Sequence, residues 1–234
     1  MKRSMIILAL LPLLDFSLAA VPVPNDGKPA VVSGTQAPET EVPAELQAFY
    51  DEVKSHCVSV DYDYTVRTND AKIVGKGKAE VQTNAYRMTM NGLEVFCDGK
   101  SLWMNDALAQ EVMIDLVDND EINLLDNPIL FVAGLETLFD ISVADGRFFN
   151  PSDDFTVPTN KVVMIPNQTE EVLFIDVHYN KTFTAILGAV LYMKDGSVIE
   201  ITIPKMSFDP VQELSHFVFH TENLPEDYVI TDLR

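Results

Sequence analysis

The chain has 234 residues, of which 16 are Lys or Arg and 36 are Asp or Glu, for a net charge of −20. Neutralising phosphate takes clustered cations, so this balance argues against nucleic-acid binding and disfavours adsorption to anionic lipid surfaces. Only Cys57 and Cys97 occur. The fold must therefore be held by its core and not by a disulfide framework, whether those two thiols pair or stay buried and reduced.

In chain order, Lys2 and Arg3 precede an apolar run from Ile6 to Leu14 and a small-x-Ala step at Ser17, Leu18 and Ala19. That is the pattern of a cleaved export signal over residues 1–20, too short to span a bilayer as a helix. Cleavage there leaves 14 basic and 35 acidic residues, a net of −21. No cysteine lies at the cleavage point, so the mature chain is expected to be exported, soluble and not itself lipidated. Residues 21–43 carry Pro22, Pro24, Pro29, Pro38 and Pro43 among small and acidic residues, with no apolar period. Such a stretch buries too little to offset its ordering entropy and reads as a flexible linker. Residues 44–234 remain as one domain.

That domain opens with a helix over 44–56, where Leu46, Phe49, Tyr50 and Val53 recur at helical spacing and form a stripe to dock on a sheet. Strands follow. Val58, Val60, Tyr62, Tyr64 and Val66 alternate with Ser59, Asp61, Asp63 and Thr65; Tyr86, Met88 and Met90 alternate with Arg87 and Thr89; Ile199, Ile201 and Ile203 alternate with Glu200 and Thr202. Further strands are predicted at 72–82, 93–97, 101–105, 110–116, 139–144, 161–165, 171–179, 182–193, 214–220 and 228–233. Asn91-Gly92, Asp98-Gly99, Asp145-Gly146 and Asp195-Gly196 read as hairpin turns, because those pairs tolerate positive φ. A second helical region is predicted around 119–138. There Asn127-Pro128 offers an N-cap and first-turn proline, and Gly134 a stop.

These elements predict a mainly β (α+β) fold: an unclosed antiparallel half-barrel of about 11–12 strands, with helices covering a concave apolar face. Either an apolar cavity remains beneath the helices, or large side chains fill it. Seven methionines follow the signal: Met88, Met90, Met104, Met113, Met164, Met193 and Met206. Methionine fills ordinary cores, but its flexible thioether also suits a pocket for varied apolar shapes. Catalytic signatures are missing: there is no nucleophile elbow, Walker loop, dinucleotide fingerprint or zinc-protease motif. His216 and His220 fall at i and i+4 on a predicted strand, a weak metal pattern with no carboxylate between them. Asp115, Asp118, Asp120, Glu121 and Asp126 lack the spacing of a calcium loop and read as helix caps. Trp103 is the only tryptophan, which is sparse for a sugar cleft. The sequons at Asn167 and Asn180 matter only in a eukaryotic secretory protein.

The segments GKAEV (77–81), AYRMTM (85–90), CDGKSLW (97–103), AQEVMI (109–114) and NPILFVAG (127–134) follow one another in an order that resembles the LolA family. The ending YVITDLR (228–234) looks like the terminal strand of its Bacteroidetes-type members. The resemblance implies a periplasmic carrier that is not an enzyme and needs no cofactor or metal. A hydrophobic cavity under a helical lid would hold the acyl chains of lipoproteins, received from an inner-membrane transporter and delivered to an outer-membrane receptor. The expected acyl sleeve is Tyr62, Tyr64, Val66, Tyr86, Met88, Met90, Trp103, Met104 and Ile201 on strands, with Leu130, Phe131 and Leu135 from the insert. The chain is expected to act as a monomer, and Met90→Glu to weaken lipid binding without disturbing the fold. One departure stands out. Val81-Gln82-Thr83-Asn84-Ala85-Tyr86 lacks the Arg-Pro step of many proteobacterial members, and Arg87 should point away from the cavity. A phospholipid or glycolipid binder on the same fold, and an interaction or sensor module filled by its own side chains, are the rival readings.

Overall fold

The computed structural model describes residues 42–117, 138–150, 155–167 and 171–234. The expected signal and nearly all of the expected linker lie outside that range, as does almost all of the second predicted helical region. Helix α1 (Ala44–Ser55) leads into twelve described strands. These are β1 (Cys57–Arg67), β2 (Lys72–Gln82), β3 (Ala85–Met90), β4 (Leu93–Cys97), β5 (Ser101–Asp106), β6 (Glu111–Leu116), β7 (Phe139–Asn150), β8 (Phe155–Pro166), β9 (Val172–Tyr179), β10 (Ile186–Met193), β11 (Val198–Asp209) and β12 (Val229–Asp232).

All twelve form one sheet in the order β12-β6-β5-β4-β3-β2-β1-β11-β10-β9-β8-β7, with β12 and β7 as unjoined edges among the described residues. Two meanders, β1–β6 and β7–β11, meet where β1 pairs antiparallel with β11. Of the described strands, only β12 runs parallel to its neighbour, β6. The register sorts side chains onto two faces. Val58, Val60, Tyr62, Tyr64 and Val66 of β1 share a face with Ile73, Gly75, Gly77, Ala79 and Val81 of β2. The glycines have a packing reason: a Cβ on Gly75 would stand 2.5 Å from the Tyr64 ring, and one on Gly77 2.3 Å from that of Tyr62. The tyrosines of β1 lie flat across β2 and need that bare backbone.

Helix α1 docks on the same face. Leu46, Phe49, Tyr50 and Val53 are buried there with Val162, Met164, Ile175, Val177, Tyr179, Leu191 and Ile199. Phe49 meets Tyr179 and Phe208 edge-on, at 5.4 and 6.0 Å between ring centroids. The Tyr50 and Tyr179 hydroxyls share a 2.6 Å hydrogen bond inside the core. The helix thus stands over the β9–β11 side of the sheet.

The reverse face is covered differently. After β11 the chain crosses it as a strap, through 3-10 turns at Leu214–Phe217 and Thr221–Asn223, before adding β12 to the far edge. Gln82 and Gln212 hold the strap reciprocally: Gln82 Nε2 donates to Gln212 O at 2.9 Å, and Gln212 N donates to Gln82 Oε1 at 2.7 Å. Farther on, Val218, Phe219, Leu224 and Tyr228 pack on Trp103, Val112 and Ile114.

Two sequence expectations change. Residues 214–220 are not a strand, so His216 and His220 do not share a strand face; His216 pairs with Glu80 and His220 with Glu222. Asp145-Gly146 is not a turn but lies inside β7, opposite Asn160 and Thr159. Glycine is used there for closeness, since a Cβ would come within 2.8 Å of Lys161 and Thr159. The other three turns stand, with φ of +87° at Gly92, +88° at Gly99 and +86° at Gly196. Cys57 and Cys97 are free and buried. The register turns them to opposite faces, since Tyr86 pairs with Cys97 on the face of Val81 and Val58 while Cys57 points the other way.

Candidate functional site

Between β11 and β6 the helix-bearing face carries one transverse apolar row. The register pairs Met206 with Val60, Val60 with Ala79, Ala79 with Met88, Met88 with Val95, Val95 with Met104, and Met104 with Met113. Seven neighbouring strands each contribute one apolar side chain, four of them methionine. At the usual strand spacing the row runs about 29 Å along the sheet. Ala79, Val95 and Met104 are buried, whereas Met88, Met113, Met206 and Val60 are half-buried. The flanking row, Val81, Tyr86, Cys97 and Leu102, is apolar as well.

Polar atoms on this stretch are already engaged. Tyr62 Oη donates to the Thr89 carbonyl at 3.3 Å, and Asn91 Nδ2 donates to Tyr64 Oη. Burial raises the pKa of both tyrosines, reinforced for Tyr62 by Tyr64 and opposed for Tyr64 by the Asn91 hydrogen bond. Burial likewise pushes the Cys97 thiol up to about 11, so it is not a thiolate at neutral pH. Among the described residues, no group of three His, Cys, Asp or Glu is placed to hold a metal. The row offers apolar, polarizable and adaptable surface, and its described residues include no group poised to transfer a proton or attack a carbonyl.

Of the residues expected to line a sleeve, Tyr62, Tyr64, Val66, Tyr86, Met88, Met90, Met104 and Ile201 all lie on this face. Trp103 does not. Alternation from Met104 turns it to the reverse face, where it is 6% exposed beneath the strap. Leu130, Phe131 and Leu135 lie outside the described residues. Met90 is 6% exposed within the main core. A carboxylate there would be buried without a partner, so Met90→Glu is expected to disturb the fold, and half-buried Met88 is the position to test. Arg87 points to the reverse face as expected, with its guanidinium on Glu80 at 2.7 and 2.9 Å.

Sequence reasoning missed the second apolar layer under the strap. Its signal was present: Leu102-Trp103-Met104 and Val112-Met113-Ile114 are unbroken apolar runs, which mark strands covered on both faces.

No family model matches the chain, and no curated protein sequence does. Solved structures do. A conserved protein of uncharacterized role from Thermus thermophilus aligns with a TM-score of 0.48 and 11% identity, over 80% of this chain and 98% of that one. A LolA superfamily protein from Nitrosomonas europaea aligns at 0.39 and 10%, over 74% and 96%. MucB, in its complex with MucA from Pseudomonas aeruginosa, aligns at 0.40 and 12%, over 76% of this chain and 60% of that chain. Scores and identities this low leave the function to the chain's own residues.

Proposed function

We propose that this chain is a periplasmic carrier for the acyl chains of lipoproteins, binding them along the methionine row and performing no chemistry on them. The observation behind the reading is that row: seven strands in register, apolar throughout, and more than half of it methionine. Each methylene withdrawn from water gains about 0.8 kcal/mol, so a saturated chain of roughly 16 carbons gains on the order of 10 kcal/mol gross. Flexible thioethers adapt to chains of different length and branching better than Leu or Ile would. The periplasmic setting rests on the signal-like first 20 residues. No helix among the described residues is long and apolar enough to cross a membrane. A transporter that loads the carrier and a receptor that unloads it belong to the same proposal.

The test is uptake of an acyl-chain fluorophore, with melting temperature as a second readout, since a ligand that binds only the folded state must stabilise it. Wild-type protein is expected to bind and to melt higher with the probe. Met88→Glu is expected to melt within a few degrees of wild type and to bind at least about tenfold more weakly. Unchanged uptake by the folded variant would place the lipid elsewhere. The burial of Val95 at 0%, and of Tyr86 at 2% and Cys97 at 1% in the flanking row, favours a second reading, in which this part of the face is already filled and the domain is an interaction module. Failure of any lipid or detergent to raise the melting temperature would select it.

A further inference from the structure

The two edges of the sheet are built differently. At the β7 edge the exposed side chains are mainly polar, Asp140, Ser142, Asp145 and Arg147, with Phe149 (52% exposed) the apolar exception near its end, while Phe139, Ile141 and Val143 turn into the core. Charged and polar edges of that kind repel strand addition. At the β12 edge, Val229 is 59% exposed, Ile230 48% and Leu233 56%, and neighbouring Leu116 is 58% exposed. Val229 N donates to Gln110 O and Leu233 N to Ile114 O, both at 2.9 Å. In a strand ladder alternate residues bond to alternate sides, so Ile230 and Asp232 present their N–H and C=O groups to the edge that no described strand joins. An open edge with apolar side chains is a template for another strand.

Charge says what that strand carries. Glu111 lies opposite Val229, Asp115 lies just past the paired residues of β6, and Glu226 and Asp227 lead into β12. The Arg234 guanidinium is taken up by Asp232 at 2.8 and 3.0 Å. A second copy of the chain would bring another net −20 to this edge and meet like charge. We propose that the free edge of β12 is a strand-addition site for an extended segment of a partner protein that alternates apolar and basic residues.

The test uses the full chain with an eight-residue peptide alternating valine and lysine, compared with its valine–glutamate counterpart. Binding is followed by fluorescence anisotropy and located by amide hydrogen exchange. The lysine peptide is expected to bind and to slow exchange at Ile230 and Asp232. Ile230→Pro removes an outward N–H and leaves the Val229 and Leu233 bonds to β6 intact, as proline is tolerated on that side of an edge strand. It is expected to melt like wild type and to bind at least about tenfold more weakly. Ile230→Lys, which keeps the backbone donor but adds a like charge, is expected to show the same loss. Undiminished binding by either folded variant would reduce the effect to diffuse charge attraction and overturn the site. Equal binding of the glutamate peptide would overturn the chemistry assigned to the partner. Self-association abolished by Ile230→Pro would make the occupant a second copy and overturn it likewise.

Discussion

Thr83 sits in the turn between β2 and β3 with φ of +49°, a region where a β-branched residue is a true outlier. For an L-residue, left-handed backbone costs roughly 1–2 kcal/mol. The side chain is exposed, and among the described residues it has no hydrogen bond that would offset this cost. Glycine would remove the strain but would enlarge the unfolded ensemble, at about 0.5–1 kcal/mol. Relief is the larger of the two, so Thr83→Gly is expected to raise stability by about 0.5–1 kcal/mol, while Thr83→Ala, which keeps a Cβ, is expected to gain little. Urea unfolding of both variants checks this; equal stability of the two would mean that the turn is not strained. The sequence analysis left these residues between two predicted strands with no hint of strain, because Thr83-Asn84 is not a pair that announces positive φ.

At the scale of elements, the strap is the part that the sequence hid. Val218 and Phe219 invite assignment to a strand, and only the partners waiting on the reverse face decide otherwise. Its hold near β2 and β3 is electrostatic as well as apolar. Glu80 accepts two hydrogen bonds from Arg87 and lies 2.5 Å from His216 Nε2, while Phe217 is fully buried against Cys57 and Ala85. The hydrogen bond from Arg87 holds the Glu80 carboxyl below its ordinary range; partial burial works against this, and His216 assists. A carboxyl whose pKa is lower in the folded state stabilises the fold above its unfolded pKa of about 4.3, and this contribution is lost as pH falls through the folded value. Glu80→Gln should therefore lower stability at pH 7 and flatten its decline below about pH 5. Denaturation midpoints at pH 7, 5, 4 and 3 are the measurement. Parallel curves for wild type and variant would show that Glu80 does not anchor the strap.

For the whole molecule, alternation and turn pairs made the meanders legible: α1, the apolar face of β1 and the face shared by Tyr86, Met88 and Met90 stand where periodicity puts them. The order in which the two meanders join was not legible, since pairing β1 with β11 spans the chain and depends on tertiary packing. Trp103 was misplaced for a related reason: a strand apolar on both faces gives alternation nothing to decide. Net charge, by contrast, is read directly from the sequence and has consequences of its own. Before Pro43 lie four acids (Asp15, Asp26, Glu39, Glu41) and three bases (Lys2, Arg3, Lys28), so residues 44–234 keep a net of −19. Salt acts on such a domain in two opposed ways. It screens exposed ion pairs such as Lys76–Asp63 and Lys78–Asp61, whose lysines are 81% and 77% exposed and which are worth about 1 kcal/mol each at most. It also screens repulsion among the excess carboxylates, which at 0.01 M salt reaches about 30 Å and at 0.1 M only about 10 Å. The unpaired excess outnumbers the pairs, so repulsion decides the sign. The melting temperature is expected to rise by several degrees between 10 and 200 mM NaCl, with most of the gain below about 0.15 M. Scanning calorimetry across that series tests it: a fall would mean that the pairs on β1 and β2 outweigh the excess, and a rise persisting to molar salt would point to strengthened apolar burial instead.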